Sequence, residues 1–156
     1  MRDPRVGFEV VQALAPAAYT GAPAYAGLDY ITGPELDLAG FSSAIFLVSV
    51  QVNSLAASLP KLKLQCIDLE NLTSVSLHAY TDVEDIGFHT GRSLVSICES
   101  VNGYTQKIER VMEYGTTGVY MIGCRKSYRH MRVALWPSYG CSVGVLLLKG
   151  HPHNRV

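Results

Sequence analysis

Residues 128–149 read YRHMRVALWPSYGCSVGVLLLK, and this stretch decides the fold class. In its first half, apolar side chains at Met131, Val133 and Leu135 alternate with more polar ones, as in a β-strand with one buried face. The PSYG segment predicts a turn, because proline presets its own φ and glycine accepts a positive φ. Residues 143–148 are apolar on both faces, so this strand needs cover on two sides. We therefore predict a C-terminal β-hairpin whose return arm packs on a second sheet and on another element or subunit.

Short segments with the same period recur along the rest of the chain. They predict strands at 43–52, 61–66, 73–80, 93–98, 104–114 and 119–122. In segment 61–66 we expect the leucines and Cys66 to face inward, and Lys63 and Gln65 to face solvent. With the C-terminal pair, the count is about eight short strands, separated by turn signals. This pattern is typical of an all-β protein, an antiparallel β-sandwich or jelly roll.

One segment is ambiguous between strand and helix. Residues 104–114 carry Ile108, Val111 and Met112 at a spacing that also fits one face of a helix. The dipeptide Asn102-Gly103 directly before them favours a tight hairpin turn, since both residues tolerate positive φ. We therefore predict a strand that pairs with the one before it.

The first 34 residues differ in composition from the rest. Small residues are interrupted here by Pro16 and Pro23, which push the residues before them into extended conformations. Three tyrosines, at 19, 25 and 30, are costly to leave in water. We predict an extended N-terminal arm over residues 1–34, with a partly disordered tail as the alternative. Residues 35–156 would form the β-sandwich domain with a short C-terminal tail.

Charge and composition exclude several classes of function. Thirteen basic and thirteen acidic residues cancel, and only 17% of the chain is charged, so we expect no nucleic-acid partner. No run approaches the roughly 18 apolar residues of a membrane span, so we expect no membrane insertion. We expect the protein to be made in the cytoplasm. The four cysteines show no C-x-x-C spacing, which favours free thiols on strands.

The candidates for chemistry are few. His151 and His153 could share a metal, but zinc needs three or four ligands, so a tail lying on a neighbouring subunit is favoured. The acidic cluster Asp82, Glu84 and Asp85 lacks the spacing of an EF-hand and predicts a solvated loop. We assign no catalytic residue, cofactor or metal site, and predict that the chain is not an enzyme.

An aromatic pair leaves one alternative function open. Trp136, with Tyr139 close by, could stack on a sugar, as in carbohydrate-binding sandwiches. A lone tryptophan next to a proline more often caps the edge of a hairpin and its core. A glycan-binding module is therefore the second hypothesis.

Two stretches resemble a known group of proteins. Residues 37–48, DLAGFSSAIFLV, and the ending 131–153, with its VGVLLLKGHPH, are similar to small proteins encoded among the head genes of tailed bacteriophages and prophages. In that group a D-L-x-G-[YF]-x-S-A strand entry precedes a K-L strand, a V-G-Y-I-G-like strand and a closing V-x-V-V-x-G-H-P. Lys61-Leu62 and residues 119–123, VYMIG, follow in the same order. The resemblance spans residues 35–153 as scattered short motifs.

The resemblance implies a structural protein of the virion. The most plausible role is a capsid decoration, or cement, subunit that binds the major capsid protein on the surface of the assembled head; a position at the neck or tail is the alternative. We expect the subunit to be made in the host cytoplasm and to form a homotrimer. An extended arm and tail can cover much of a partner's surface with few residues. The residues we predict to touch partners are Phe8, Tyr19, Tyr25, Tyr30, His151 and His153.

Overall fold

Twelve β-strands make up the part of the chain that the computed structural model describes. That part comprises residues 8–18, 31–53, 59–67, 80–83, 86–90, 94–101, 105–124, 128–136 and 140–152. The first six strands are β1 (Phe8–Ala17), β2 (Ile31–Thr32), β3 (Leu36–Asp37), β4 (Phe41–Val52), β5 (Lys61–Ile67) and β6 (Thr81–Asp82). The others are β7 (Ile86–His89), β8 (Leu94–Val101), β9 (Thr105–Glu113), β10 (Gly118–Cys124), β11 (His130–Trp136) and β12 (Cys141–Pro152).

The strands form two antiparallel sheets that pack on each other as a sandwich. Sheet A has the order β1-β12-β4-β10-β7. Sheet B has the order β2-β11-β5-β9-β8, with β3 pairing β11 and β6 pairing β5. The predicted all-β sandwich is therefore confirmed. In the residues described, no helix is long and apolar enough to cross a membrane.

The core lies between the two sheets and takes alternate residues from each. The side chains that fill it are almost fully buried, and burying one of this size contributes roughly 1.5–3 kcal/mol. Sheet A contributes Phe46, Val48, Val50, Ile122, Val143, Val145 and Leu147, and sheet B contributes Leu62, Leu64, Cys66, Met112, Met131, Val133 and Leu135. Because the period is two in every one of these strands, each sheet keeps a second, outer face.

The predicted C-terminal hairpin is wrong. Its two arms are strands, but β11 pairs with β2, β3 and β5 in sheet B, whereas β12 pairs with β1 and β4 in sheet A. Both arms have apolar residues to bury, and placing the arms in opposite sheets lets Met131 and Val133 meet the core from one side and Val145 and Leu147 from the other. The turn prediction holds at Gly140, whose φ is 82°. Residues 137–139 lie outside the described part.

Most of the other strand predictions are confirmed. Strands appear at β4, β5, β8, β9 and β10, where they were expected. Thr105–Glu113 is a strand and pairs with β8 from Val101 to Leu94, so the helical alternative for this segment is excluded. Asn102-Gly103 and most of the predicted strand 73–80 lie outside the described residues.

The outer side of β5 is not the solvent-facing surface that its sequence predicts. Lys63 is 1% exposed and Gln65 is also buried, although the alternation placed both in water. The Lys63 ammonium lies 5.5 Å from the centre of the Trp136 ring, and Gln65 accepts a hydrogen bond from Arg132 Nε at 2.7 Å. These contacts offset the free-energy cost of burying a charged and a polar group. The alternation within one strand does not show which neighbours it will have.

The N-terminal segment also differs from the prediction where it is described. Phe8–Ala17 is the edge strand of sheet A and pairs with β12 from Phe8↔Gly150 to Ala17↔Val143. Its Ala13 and Leu14 belong to the core. This part of the predicted arm is thus a strand of the sandwich, because a ten-residue strand with two inward apolar positions gains more from pairing than from lying free.

A buried lysine joins the two sheets at one end of the sandwich. Lys149 of β12 is 7% exposed, and its Nζ lies 2.7 Å from Glu9 Oε1 of β1 and donates to the Asp37 carbonyl oxygen of β3 at 3.1 Å. The same ammonium lies 5.0 Å from the centre of the Phe41 ring. Since β3 belongs to sheet B, this one side chain bonds to both sheets.

A close approach fixes the path of β1 over β12. The register of β1 shifts between Leu14 and Ala17, so that two residues stand opposite Gly144. A Cβ added at Gly144 would lie 2.8 Å from Pro16 Cβ and 2.9 Å from Pro16 Cα. Only glycine leaves room for the proline here.

Replacing Gly144 by alanine is therefore expected to destabilise the protein by about 1–3 kcal/mol, the usual cost of forcing an extra methyl into a packed site. Chemical denaturation measures the change in the free energy of unfolding. The matched control is Gly118→Ala in β10, where the new Cβ would meet Tyr120 at an ordinary 3.5 Å. The control should stay within about 0.5 kcal/mol of the wild type. Equal effects for the two variants would contradict the close approach.

Candidate interaction surfaces

Sheet A carries a continuous apolar surface on the side that faces away from the core. Register places its residues in rows across four strands: Leu148 pairs with Val10 and Ile45, and Leu47 pairs with Leu146 and Met121. Val119 stands in the next row, opposite Ser49 of β4. We call this surface the outer face, and it consists of Val10, Ile45, Leu47, Val119, Met121, Leu146 and Leu148.

The outer face is accessible to solvent. Its most exposed members are Val119 at 68%, Val10 at 61%, Leu146 at 42% and Met121 at 39%. The other three are half-buried by their neighbours. Large apolar side chains gathered in this way differ from singly scattered ones, and such clusters are common where a protein binds another surface.

The chemistry of the outer face suits binding and not a reaction. Its described polar members are uncharged, such as Gln12, Ser49 and Gln51, and none of the side chains that the register places there titrates near neutral pH. An apolar surface without charge offers no group that could donate or accept a proton during a reaction. If another surface covers it, the apolar area removed from water favours the association.

Sheet B carries a polar cluster on its outer side, centred on Tyr80. The Arg132 guanidinium stacks 3.9 Å from the centre of the Tyr80 ring, and the Tyr80 hydroxyl donates to Glu35 Oε2 at 2.9 Å. Burial, together with this bond to a carboxylate, raises the pKa of Tyr80 to about 12. His130 Nδ1 lies 3.2 Å from Glu35 Oε1, without hydrogen-bond geometry, so the two attract only when the ring is protonated. Arg132, Tyr80 and Glu35 contact one another in this way, which indicates a structural role for these three side chains.

An exposed ion pair lies next to the buried lysine. Arg129 Nε donates to Asp37 Oδ1 at 2.8 Å, and the Ala39 amide donates to the same oxygen at 2.8 Å. The bond from Arg129, and then the bond from Ala39, hold the pKa of Asp37 below its ordinary value. The pair joins β3 to the residue before β11, so it steadies the edge of sheet B.

The predicted partner contacts fall into two groups. Phe8 and His151 are at the start of β1 and near the end of β12, and because Phe8 pairs with Gly150, the two backbone positions are neighbours at one end of sheet A. The described residues do not include Tyr19, Tyr25, Tyr30 and His153. Their role in binding stays a prediction.

The other sequence candidates are placed as follows. One side of the Trp136 ring is approached by Lys63, which leaves less of the ring for a sugar to stack on; Tyr139 lies outside the described part. Cys66 and Cys141 are buried and Cys124 is half-buried, and none of these three forms a disulfide, as the spacing favoured. Within the described ranges, no three His, Cys, Asp or Glu side chains come together as a possible metal site.

One short sequence pattern in the chain also occurs in hydrolases. Residues 140–144, GCSVG, match G-x-S-x-G, in which the serine of an α/β-hydrolase stands on a sharp turn from a strand into a helix. Here Ser142 lies within β12 and pairs with Gln51, and the strand continues to Pro152. The match therefore has none of the backbone context that exposes a nucleophile.

Comparison with known proteins gives one structural likeness. The chain is similar to the SPBc2 prophage-derived protein YomS, known from a crystal structure, with 10% sequence identity and a TM-score of 0.49. The match covers 92% of this chain and 93% of that one. A likeness of this size carries no argument about function. The sequence matches no family model and no curated protein.

Sequence reasoning missed the outer face as a unit, although its parts were visible. Residues 143–148 are apolar on both faces, and Ile45 and Leu47 give β4 the same character. What the sequence does not show is that these strands are neighbours and that Val10 and Met121 extend their rows. A search for several strands that are apolar on both faces would have been the useful signal.

Replacing Asp37 by asparagine tests the ion pair through pH. A carboxyl whose pKa is lowered in the fold stabilises the protein above its ordinary pKa, and the contribution is lost as the pH falls through the lowered value. We expect Asp37→Asn to lower the midpoint of thermal unfolding at neutral pH, with the difference from the wild type vanishing in acid. In an Arg129→Gln background the same substitution should have a smaller effect. A difference independent of pH would contradict this assignment.

Proposed function

We propose that this chain is a structural protein of a tailed-phage particle, and that it is a capsid decoration subunit. In this proposal it is made in the host cytoplasm, attaches to the major capsid protein on the surface of the assembled head and stabilises it. Such a subunit acts by mass action, since it binds the lattice and not the dissociated parts. The homotrimer predicted from the sequence stays part of the proposal.

The positions of the resembling motifs support the proposal. Residues 37–48 lead through the turn after β3 into β4, and Lys61-Leu62 open β5. Residues 119–123 lie in β10, and the closing motif forms β12. The scattered motifs thus occupy strands that pair or pack around one core, as expected if they belong to one shared fold.

The observation that carries the proposal is the meeting of the two chain ends. The first residue of β1 pairs with Gly150, beside His151, so two predicted contact residues from opposite ends of the sequence share one end of sheet A. Two contact residues that share one place can engage a partner together, which raises their effective concentration at its surface.

The direct experiment mixes the purified protein with heads that lack it, sediments the particles and counts the bound copies. Saturable binding of roughly a few hundred copies, as repetition over a symmetric lattice implies, is the result we expect. The control uses dissociated capsid protein, to which a lattice-binding subunit should bind far more weakly.

Other outcomes would overturn the decoration role. About a dozen copies or fewer, as one symmetric ring would give, would place the protein at the neck or tail. No binding to particles, together with binding to a glycan array, would favour a carbohydrate-binding module instead.

A further inference from the structure

We infer that the outer face of sheet A is the contact between two copies of this chain, packed face to face about a twofold axis. The outer face begins at Val10, two residues along β1 from Phe8, and so lies next to the end of sheet A where the predicted capsid contacts meet. The inference does not need a capsid, so the two proposals can fail independently.

The first argument is the lack of charge on the outer face. In a contact between identical surfaces, every charge risks meeting a like charge, which costs several kcal/mol at an interface. The polar residues that the register places among the apolar ones, such as Gln12, Ser49 and Gln51, are all neutral. The nearest described ion pair, Glu9 with Lys149, belongs to the inward positions of β1 and β12. A second copy can therefore approach without electrostatic penalty.

The second argument is the area. Four strands spaced ~4.8 Å apart, over the six residue steps of ~3.3 Å from Ile45 to Gln51, give a footprint of roughly 19 by 20 Å, on the order of 400 Å² for each copy. Two copies would bury on the order of 800 Å² together, which is in the range of weak, transient contacts and not of permanent ones. We therefore expect a contact that forms reversibly at high protein concentration.

The third argument is the shape. Two sheets pack well face to face at a separation of about 10 Å, as the two sheets of the sandwich do. Three such faces turned toward one axis would leave a space between them, so the outer face fits a twofold contact. If the chain also forms a trimer, other surfaces hold it together.

The strand β12 has one covered and one uncovered apolar face. Its inward residues Val145 and Leu147 are buried against sheet B, while its outward residue Leu146 is 42% exposed. Residues 143–148 of β12 are apolar on both faces, and a second copy supplies the cover that the outer side lacks among the described residues.

The test measures mass against protein concentration by analytical ultracentrifugation, using the full chain without capsids. The wild type is expected to double in mass as the concentration rises. Leu146→Lys and Val119→Lys place charges on two different strands of the outer face, and each should weaken self-association by roughly a hundredfold. Both sites are exposed, so the variants should keep the wild-type unfolding transition.

The matched control is Ala39→Lys, which adds the same charge at an exposed turn between β3 and β4. It should associate as the wild type does. The inference is overturned if the wild type never exceeds the mass of one copy, or of one trimer, if the two face variants associate normally, or if Ala39→Lys is weakened equally. Binding to heads without self-association would overturn this inference alone, and self-association without binding to heads would overturn the decoration role alone.

Discussion

The fold depends on the antiparallel pairing of β12 between β1 and β4. The pairing with β4 runs from Cys141↔Val52 to Pro152↔Phe41, nearly the whole length of both strands. On its other side β12 holds β1, whose path is set by the fit of Pro16 against Gly144. A slip of one residue would move every side chain of β12 to the opposite face. The register of this strand therefore decides which residues form the core and which form the outer face.

Because of that register, sheet A has two apolar faces, one inside the sandwich and one outside. The inner surface meets sheet B and supplies much of the hydrophobic stabilisation of the domain. The outer face stays exposed on four strands that are hydrogen-bonded to one another, so the backbone beneath its side chains is held in place. A rigid surface loses little conformational entropy on binding. These properties are the basis on which we propose that the chain works by assembly.

The sequence predicted the class of fold and most strands, because alternation is a local property that each segment shows by itself. It could not predict which strands pair. Residues 128–149 look like a hairpin, yet β11 and β12 lie in opposite sheets, since adjacency in sequence and one turn signal do not fix a partner. The prediction for Lys63 was wrong for a similar reason, because its ammonium is buried close to the ring of Trp136, a residue distant in sequence. The outer face is a property of four strands together, so it emerged only with their register.

The most direct test of the account is the oxidation of methionines by peroxide, followed by mass spectrometry at low and high protein concentration. Met121 is exposed on the outer face, whereas Met112 and Met131 are buried in the core and serve as internal references. Oxidation follows exposure of the thioether. We predict that Met121 oxidises readily in dilute protein and becomes protected as copies associate, while the two references stay slow throughout. Equal oxidation of Met121 in the dilute and the associated protein would contradict the central claim that the outer face is where this protein assembles.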